Sequence, residues 1–295
     1  MPADTRETRR IAHVLDGKPR DLGGFTVRRV LPSLQRRRVG PFVFLDHMGP
    51  FDVAPGKAVQ VRPHPHIGLA TVTYLFAGEI VHRDSLGSEQ TILPGAVNWM
   101  TAGRGVVHSE RTSEDALRRG GLEHGLQCWV GLPTEDEECT PRFAHYEAST
   151  IPEVTHDGVE LRVVVGTAYG STSPVQVSSP TLFVDARLAA GQTLEPPPAP
   201  ELAAYVVLGA ATCDDVRFTE GTMLVFRDGE RPVLHAEEKS RVVLVGGAPL
   251  DGERYLFWNF VSSSKARLER AKRDWKEGRF PKVPGDDVEF IPLPE

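Results

Sequence analysis

Short runs of Val, Leu, Thr and aromatic residues recur along the chain, each ended by Gly, Pro or Asp, and this pattern predicts strands rather than helices. The clearest runs are 25–30, 42–46, 70–76, 127–132, 161–165, 182–188, 204–208, 223–226, 241–245 and 256–260. Helical periodicity is nearly absent before residue 262. There the pattern changes: Ser262, Ser263 and Ser264 offer N-caps, while Leu268, Ala271 and Trp275 share one face at i, i+3 and i+7. Gly278 is placed to end that helix, and Glu269 and Arg273 suit its wet side. The expected fold class is all-β with a C-terminal α-helix.

The strand pattern carries an internal echo. Tyr74-Leu75-Phe76-Ala77-Gly78 and Tyr205-Val206-Val207-Leu208-Gly209 each read as a strand ending at a glycine turn, and a further glycine, Gly95 or Gly221, then opens another strand. Two β-barrels or sandwiches in tandem explain the repeat most simply. The boundary is expected near 150, giving domains 1–150 and 151–295, with the prolines at 196–198 in a loop of the second.

Composition narrows the class. At 295 residues, 40% hydrophobic and 25% charged, the chain has the make-up of a globular protein with a sizeable core. A balance of 34 Lys plus Arg against 40 Asp plus Glu leaves a net charge of −6, which argues against direct nucleic-acid binding. The longest mostly apolar stretch, 202–211, is about half the roughly 20 residues of a membrane span, so no membrane partner is expected. The first 17 residues are charged throughout and lack a signal-peptide apolar segment, so a cytoplasmic location is expected. Cys128, Cys139 and Cys213 are odd in number and without CxxC spacing, and they read as reduced thiols.

Candidate chemistry begins at Arg62-Pro63-His64-Pro65-His66. In an extended strand His64 and His66 point to the same side, close enough to grip one ion, and the flanking prolines hold the backbone extended. His108 and Glu110 repeat the i, i+2 geometry with an imidazole and a carboxylate. Either pair alone is a weak signal. Together, 42 positions apart in one β-rich half, they fit neighbouring strands and offer three nitrogens and a carboxylate oxygen. That set suits Fe, Mn, Co, Ni, Cu or Zn, whereas Mg or Ca would want oxygens only. Gly103-Arg104-Gly105 precedes no helix and reads as a turn, leaving Arg104 open between surface and cavity. His47 and His82 lie near segments that could approach the metal. Trp99, Met100 and Trp129 read as core, and Arg36, Arg37 and Arg38 as a solvated loop.

The segments HPHIGLATVTYLFAGEIVHRDSLG, GAVNWMTAGRGVVHSE and GLQCWVGLP resemble the N-terminal signature of the pirin family, in the cupin superfamily. YLFWNFVSSSKARLERAKRDWKEGRF is similar to that family's C-terminal segment. The resemblance implies two tandem cupin-type, jelly-roll-like β-barrels, the first holding one divalent metal, Fe(II) above all, on His64, His66, His108 and Glu110. Where many pirins have Arg and Glu, this chain has Ile67 and Ala70, and Glu110 still supplies the carboxylate. The second half is expected to be metal-free. Counting from the echo places Glu195 and Pro197 where the histidine pair would stand, and His235 falls one residue out of phase with His108. The resemblance further implies quercetin 2,3-dioxygenase-type activity on a small aromatic, flavonol-like substrate, with Glu110 as the catalytic proton acceptor. The alternative it offers is an iron-dependent regulatory protein with a transcription or metabolic-enzyme partner.

Overall fold

The computed structural model describes residues 6–295, and the chain divides into two compact units. One comprises the chain up to Arg20, Arg28–His47 and Ser149–Pro249; the other comprises Asp21–Val27, Met48–Ala148 and Leu250–Glu295. One break, between Ala148 and Ser149, stands beside residue 150. Neither unit, however, is a continuous half of the sequence. Strand Ile11–Asp16 pairs along Thr222–Phe226, which draws the early chain into the unit made mostly of later residues. The stretch after Pro249 joins the other unit, where Phe260 bridges to Ile67.

The unit containing Ser149–Pro249 has two main antiparallel sheets, besides a two-stranded ribbon at Thr167–Ala168 and Ser171–Thr172. The larger runs Ile11–Asp16, Thr222–Phe226, Glu201–Leu208, Ser240–Gly247, Thr181–Leu188, Val159–Val165, Glu153–His156; the smaller runs Thr193–Leu194, Leu234–Ala236, Ala210–Cys213, Val216–Thr219. Their facing side chains form one apolar core, with Val163, Val184, Ala204 and Leu244 from the first and Leu194, Cys213, Phe218 and Leu234 from the second. Each sheet has free ends, so the architecture is a jelly-roll sandwich, not a closed barrel.

The unit containing Met48–Ala148 repeats the plan. One sheet is ordered Arg142–Tyr146, Val97–Thr101, Leu69–Ala77, Gly121–Gly131 and Phe42–Val53, the last belonging here from Met48 onward. The smaller sheet is ordered Gln60–His66, Val106–Arg111, Ile80–Asp84, Glu89–Ile92. The internal echo is real: Gly78 (φ 88°) and Gly209 (φ 77°) turn the chain at equivalent points, from Leu69–Ala77 to Ile80–Asp84 and from Glu201–Leu208 to Ala210–Cys213, each time from the larger sheet to the smaller.

The C-terminal helix spans Lys265–Lys276, with Ser264 Oγ accepting from the Arg267 amide. It buries Leu268 and Ala271 in a cluster with Ile67 and Phe260. Two local readings differ. Residues 256–260 form a hairpin, Tyr255–Phe257 and Phe260–Ser262, because Trp258 takes a left-handed φ of 51° and divides the run. A helix at Glu114–Arg119, capped by Ser113, is too short for periodicity to reveal. Among the described residues no helix is long and apolar enough to cross a membrane.

Candidate metal centre

The site is built on the smaller sheet of the unit containing Met48–Ala148. Val106–Arg111 is central, flanked by Gln60–His66 and Ile80–Asp84, and the register sets His108 opposite His64 on one side and opposite Asp84 on the other. Val106 lies opposite His66. Between His108 and Glu110 the register slips: two residues of the central strand span three of its partner, from His64 to Val61. This bulge falls at Arg62 and Pro63, where a proline's missing amide costs the ladder least.

The alternation brings His64, His66 and His108 onto one buried face. Their nitrogens lie within 4.8 Å of one another, and the Nε2 atoms of His66 and His108 are 3.1 Å apart. His66 and His108 are wholly buried and His64 nearly so. His64 Nδ1 donates to the Arg62 carbonyl at 2.8 Å, because a carbonyl can only accept, and Nε2 is left with a free lone pair. Burial makes charged imidazoles costly here. It lowers His64 to about 4, with His82 adding repulsion, and holds His66 and His108 well below the ordinary histidine value, reinforced by the neighbouring rings. Three neutral, converging imidazoles fit a divalent transition ion.

Glu110 is buried on the same strand but outside the group of mutually close nitrogens. Its Oε1 accepts a 2.8 Å hydrogen bond from Thr73 Oγ1, which also lies 2.9 Å from Gln127 Oε1. A hydroxyl has one hydrogen. Turning the Gln127 amide over lets its NH2 donate to Thr73, which in turn donates to Glu110. Burial pushes the Glu110 carboxyl up, against the Thr73 bond that pulls it down.

His82 belongs to this constellation. Its ring stacks on Phe143 at 4.3 Å, its Nδ1 is 3.4 Å from His108 Nδ1, and its Nε2 is 3.1 Å from Asp84 Oδ2. Asp84, missed in the sequence, shows the same i, i+2 spacing as the other two pairs. Trp129 sets its ring edge-on to His66 at 5.1 Å. His47, by contrast, lies in the other unit, where its Nδ1 meets the Tyr205 hydroxyl at 2.8 Å. Arg104 is exposed and donates to Thr140 Oγ1. Ile67 turns into the helix cluster. In the unit containing Ser149–Pro249, His235 is exposed, while its strand neighbours Leu234 and Ala236 enter the apolar core.

Two sandwiches of this topology, one with a histidine group able to hold a metal ion on its smaller sheet, define a two-cupin protein with a candidate metal centre. The chain belongs to the pirin family: the Pirin profile matches residues 24–130 and the Pirin C-terminal cupin domain residues 183–281. It is 51% identical over 286 residues to a pirin-like protein of Caulobacter vibrioides, covering 96% of this chain and 99% of that one. A crystal structure of quercetin 2,3-dioxygenase from Acinetobacter baumannii matches with a TM-score of 0.90 and 34% identity, over 96% of this chain and 95% of that one. A second quercetin 2,3-dioxygenase structure from that organism gives a TM-score of 0.85 and 31% identity, over 92% and 99%.

Proposed function

We propose that the chain is a metal-dependent dioxygenase of the quercetin 2,3-dioxygenase type, acting on a flavonol-like substrate, with His64, His66, His108 and Glu110 as ligands. The carrying observation is the convergence of three neutral, buried imidazoles beside a buried carboxylate. The likeness to the Acinetobacter baumannii dioxygenase, at 34% identity across nearly the whole of both chains, supports the same reading.

A bound Fe(II), or another of the transition ions named above, would supply Lewis acidity and open positions for a chelating hydroxyketone and dioxygen. The remaining work falls to the chain's own residues. His64, His66 and His108 are held neutral by burial, so their lone pairs stay available down to mildly acidic pH. Glu110 takes the proton of the substrate hydroxyl, and its raised affinity for protons suits that task. Trp129 and Phe143 offer apolar walls beside the histidines. Anaerobic titration with quercetin followed by an oxygen pulse tests the reading. Metal-dependent oxygen uptake with release of carbon monoxide is expected, and its absence for every flavonol tried defeats it.

A further inference from the structure

We infer that Asp84 and His82 are positioning residues that set the tautomer of His108, so that its Nε2 presents a lone pair to the metal. The inference rests on the histidine group being a metal site; it does not depend on the flavonol reading.

The chain of contacts admits one assignment of protons among neutral rings. Asp84 Oδ1 accepts the backbone amides of Leu86 at 2.9 Å and Ser88 at 3.0 Å, and Oδ2 faces His82 Nε2. Two backbone amides pointing at Oδ1 and an imidazole nitrogen at Oδ2 form a setting of donors that suits an ionised carboxylate. A carboxylate accepts, so His82 carries its proton on Nε2 and has a lone pair on Nδ1. That lone pair meets His108 Nδ1, which must therefore be the protonated nitrogen of its ring. His108 Nε2 is then bare, and it is the atom 3.1 Å from His66 Nε2. Phe143, stacked flat on His82, keeps that ring from turning over. His64 reaches the same end by the shorter route of the Arg62 carbonyl. A hydrogen-bond partner behind a ligating imidazole fixes its tautomer and orientation, and removing one typically costs 10–100-fold in metal affinity.

Asp84→Asn should run the relay backwards. The Leu86 and Ser88 amides hold the new side-chain oxygen where Oδ1 stood, so its NH2 group faces His82 Nε2. His82 must then carry its proton on Nδ1 and donate to His108, which moves the His108 proton onto Nε2, where the metal would bind. His82→Gln offers an oxygen to His108 and an NH2 group to Asp84, and so keeps the forward direction. Long-range proton–nitrogen NMR of the metal-free protein reads the tautomer directly, and titration with Co(II), followed through its visible bands, reads affinity. We expect His108 to be Nδ1-protonated in the wild type and Nε2-protonated in Asp84→Asn. Co(II) affinity should fall about 10–100-fold in Asp84→Asn and largely recover in His82→Gln. An unchanged His108 tautomer in Asp84→Asn overturns the inference, even if affinity falls, because the effect would then be merely structural. Should Asp84→Asn not fold, a wild-type His108 protonated on Nε2, or a His82→Gln protein that loses affinity as far as His82→Leu, overturns it equally. Loss of flavonol turnover with tautomers and affinity as expected would defeat only the dioxygenase reading.

Discussion

Glu123 lies buried against Gly78, and its Oε2 has no hydrogen-bond partner among the described residues. Burial pushes this carboxyl up to about 7, with the charge of Glu79 adding to the rise. A folded-state value above the unfolded one means that the folded chain binds the proton more tightly. The contribution to stability is therefore complete below about pH 4.5 and is lost as pH rises through about 7. Glu123→Gln should stabilise the protein at pH 8 by about 2 kcal/mol and change little at pH 5. Thermal unfolding at the two pH values measures the difference. Thr73→Val removes the donor to Glu110, so the carboxyl should rise further. The acid limb of the activity profile should then move to higher pH, seen in initial rates across buffers. The grouping of His64, His66 and His108 is legible in the sequence because spacing of two is the signature of one strand face. The partners behind them are not. His82 and Asp84 share that spacing, but their role depends on Ile80–Asp84 lying beside Val106–Arg111, a pairing no local pattern states.

The strands that carry the clustered histidines are held from behind by the C-terminal stretch. Phe260 bridges to Ile67, the Val261 amide donates to the Ile67 carbonyl, and the Ile291 amide donates to the Pro63 carbonyl. Arg111 forks onto Asp286 at 2.6 and 2.7 Å. Gly68, next in the chain after Ile67, has φ of 68°, and a Cβ there would lie 2.0 Å from the Val261 carbonyl oxygen. Gly68→Ala should cost about 2 kcal/mol or more and speed metal loss to a chelator. Gly56→Ala, with φ of 78° but no atom within 4 Å, should cost less and leave metal release unchanged. Melting curves and release rates of the two variants make the comparison. The helix in this stretch is legible because three turns repeat the apolar face. The hairpin before it is not, since a left-handed Trp258 leaves no mark in the hydrophobic pattern.

For the molecule as a whole, the two units share a plan but not an interior. One fills its core with apolar side chains, the other spends its corresponding sheet on imidazoles and carboxylates. Removing metal should therefore act on one unit alone. After chelation, hydrogen exchange should quicken in Gln60–His66, Ile80–Asp84 and Val106–Arg111 and stay unchanged in Ser240–Gly247; uniform quickening would contradict a site confined to one unit. The doubling of the fold is visible in the glycine-ended repeat, whereas the exchange of terminal segments rests on pairings such as Ile11 with Phe226, too distant in sequence for any pattern to announce.

The placement of Leu250–Glu295 also sets an order of events during synthesis. The ribosome makes all of Ser149–Pro249 between the imidazole-bearing strands and the stretch that backs them, an interval of roughly 5–20 s at ordinary elongation rates. Throughout that interval Ile67 waits without Phe260. A nascent chain thus has its imidazole-bearing strands in hand before the segment that packs on Ile67 exists, and that sequence of assembly is written in chain order.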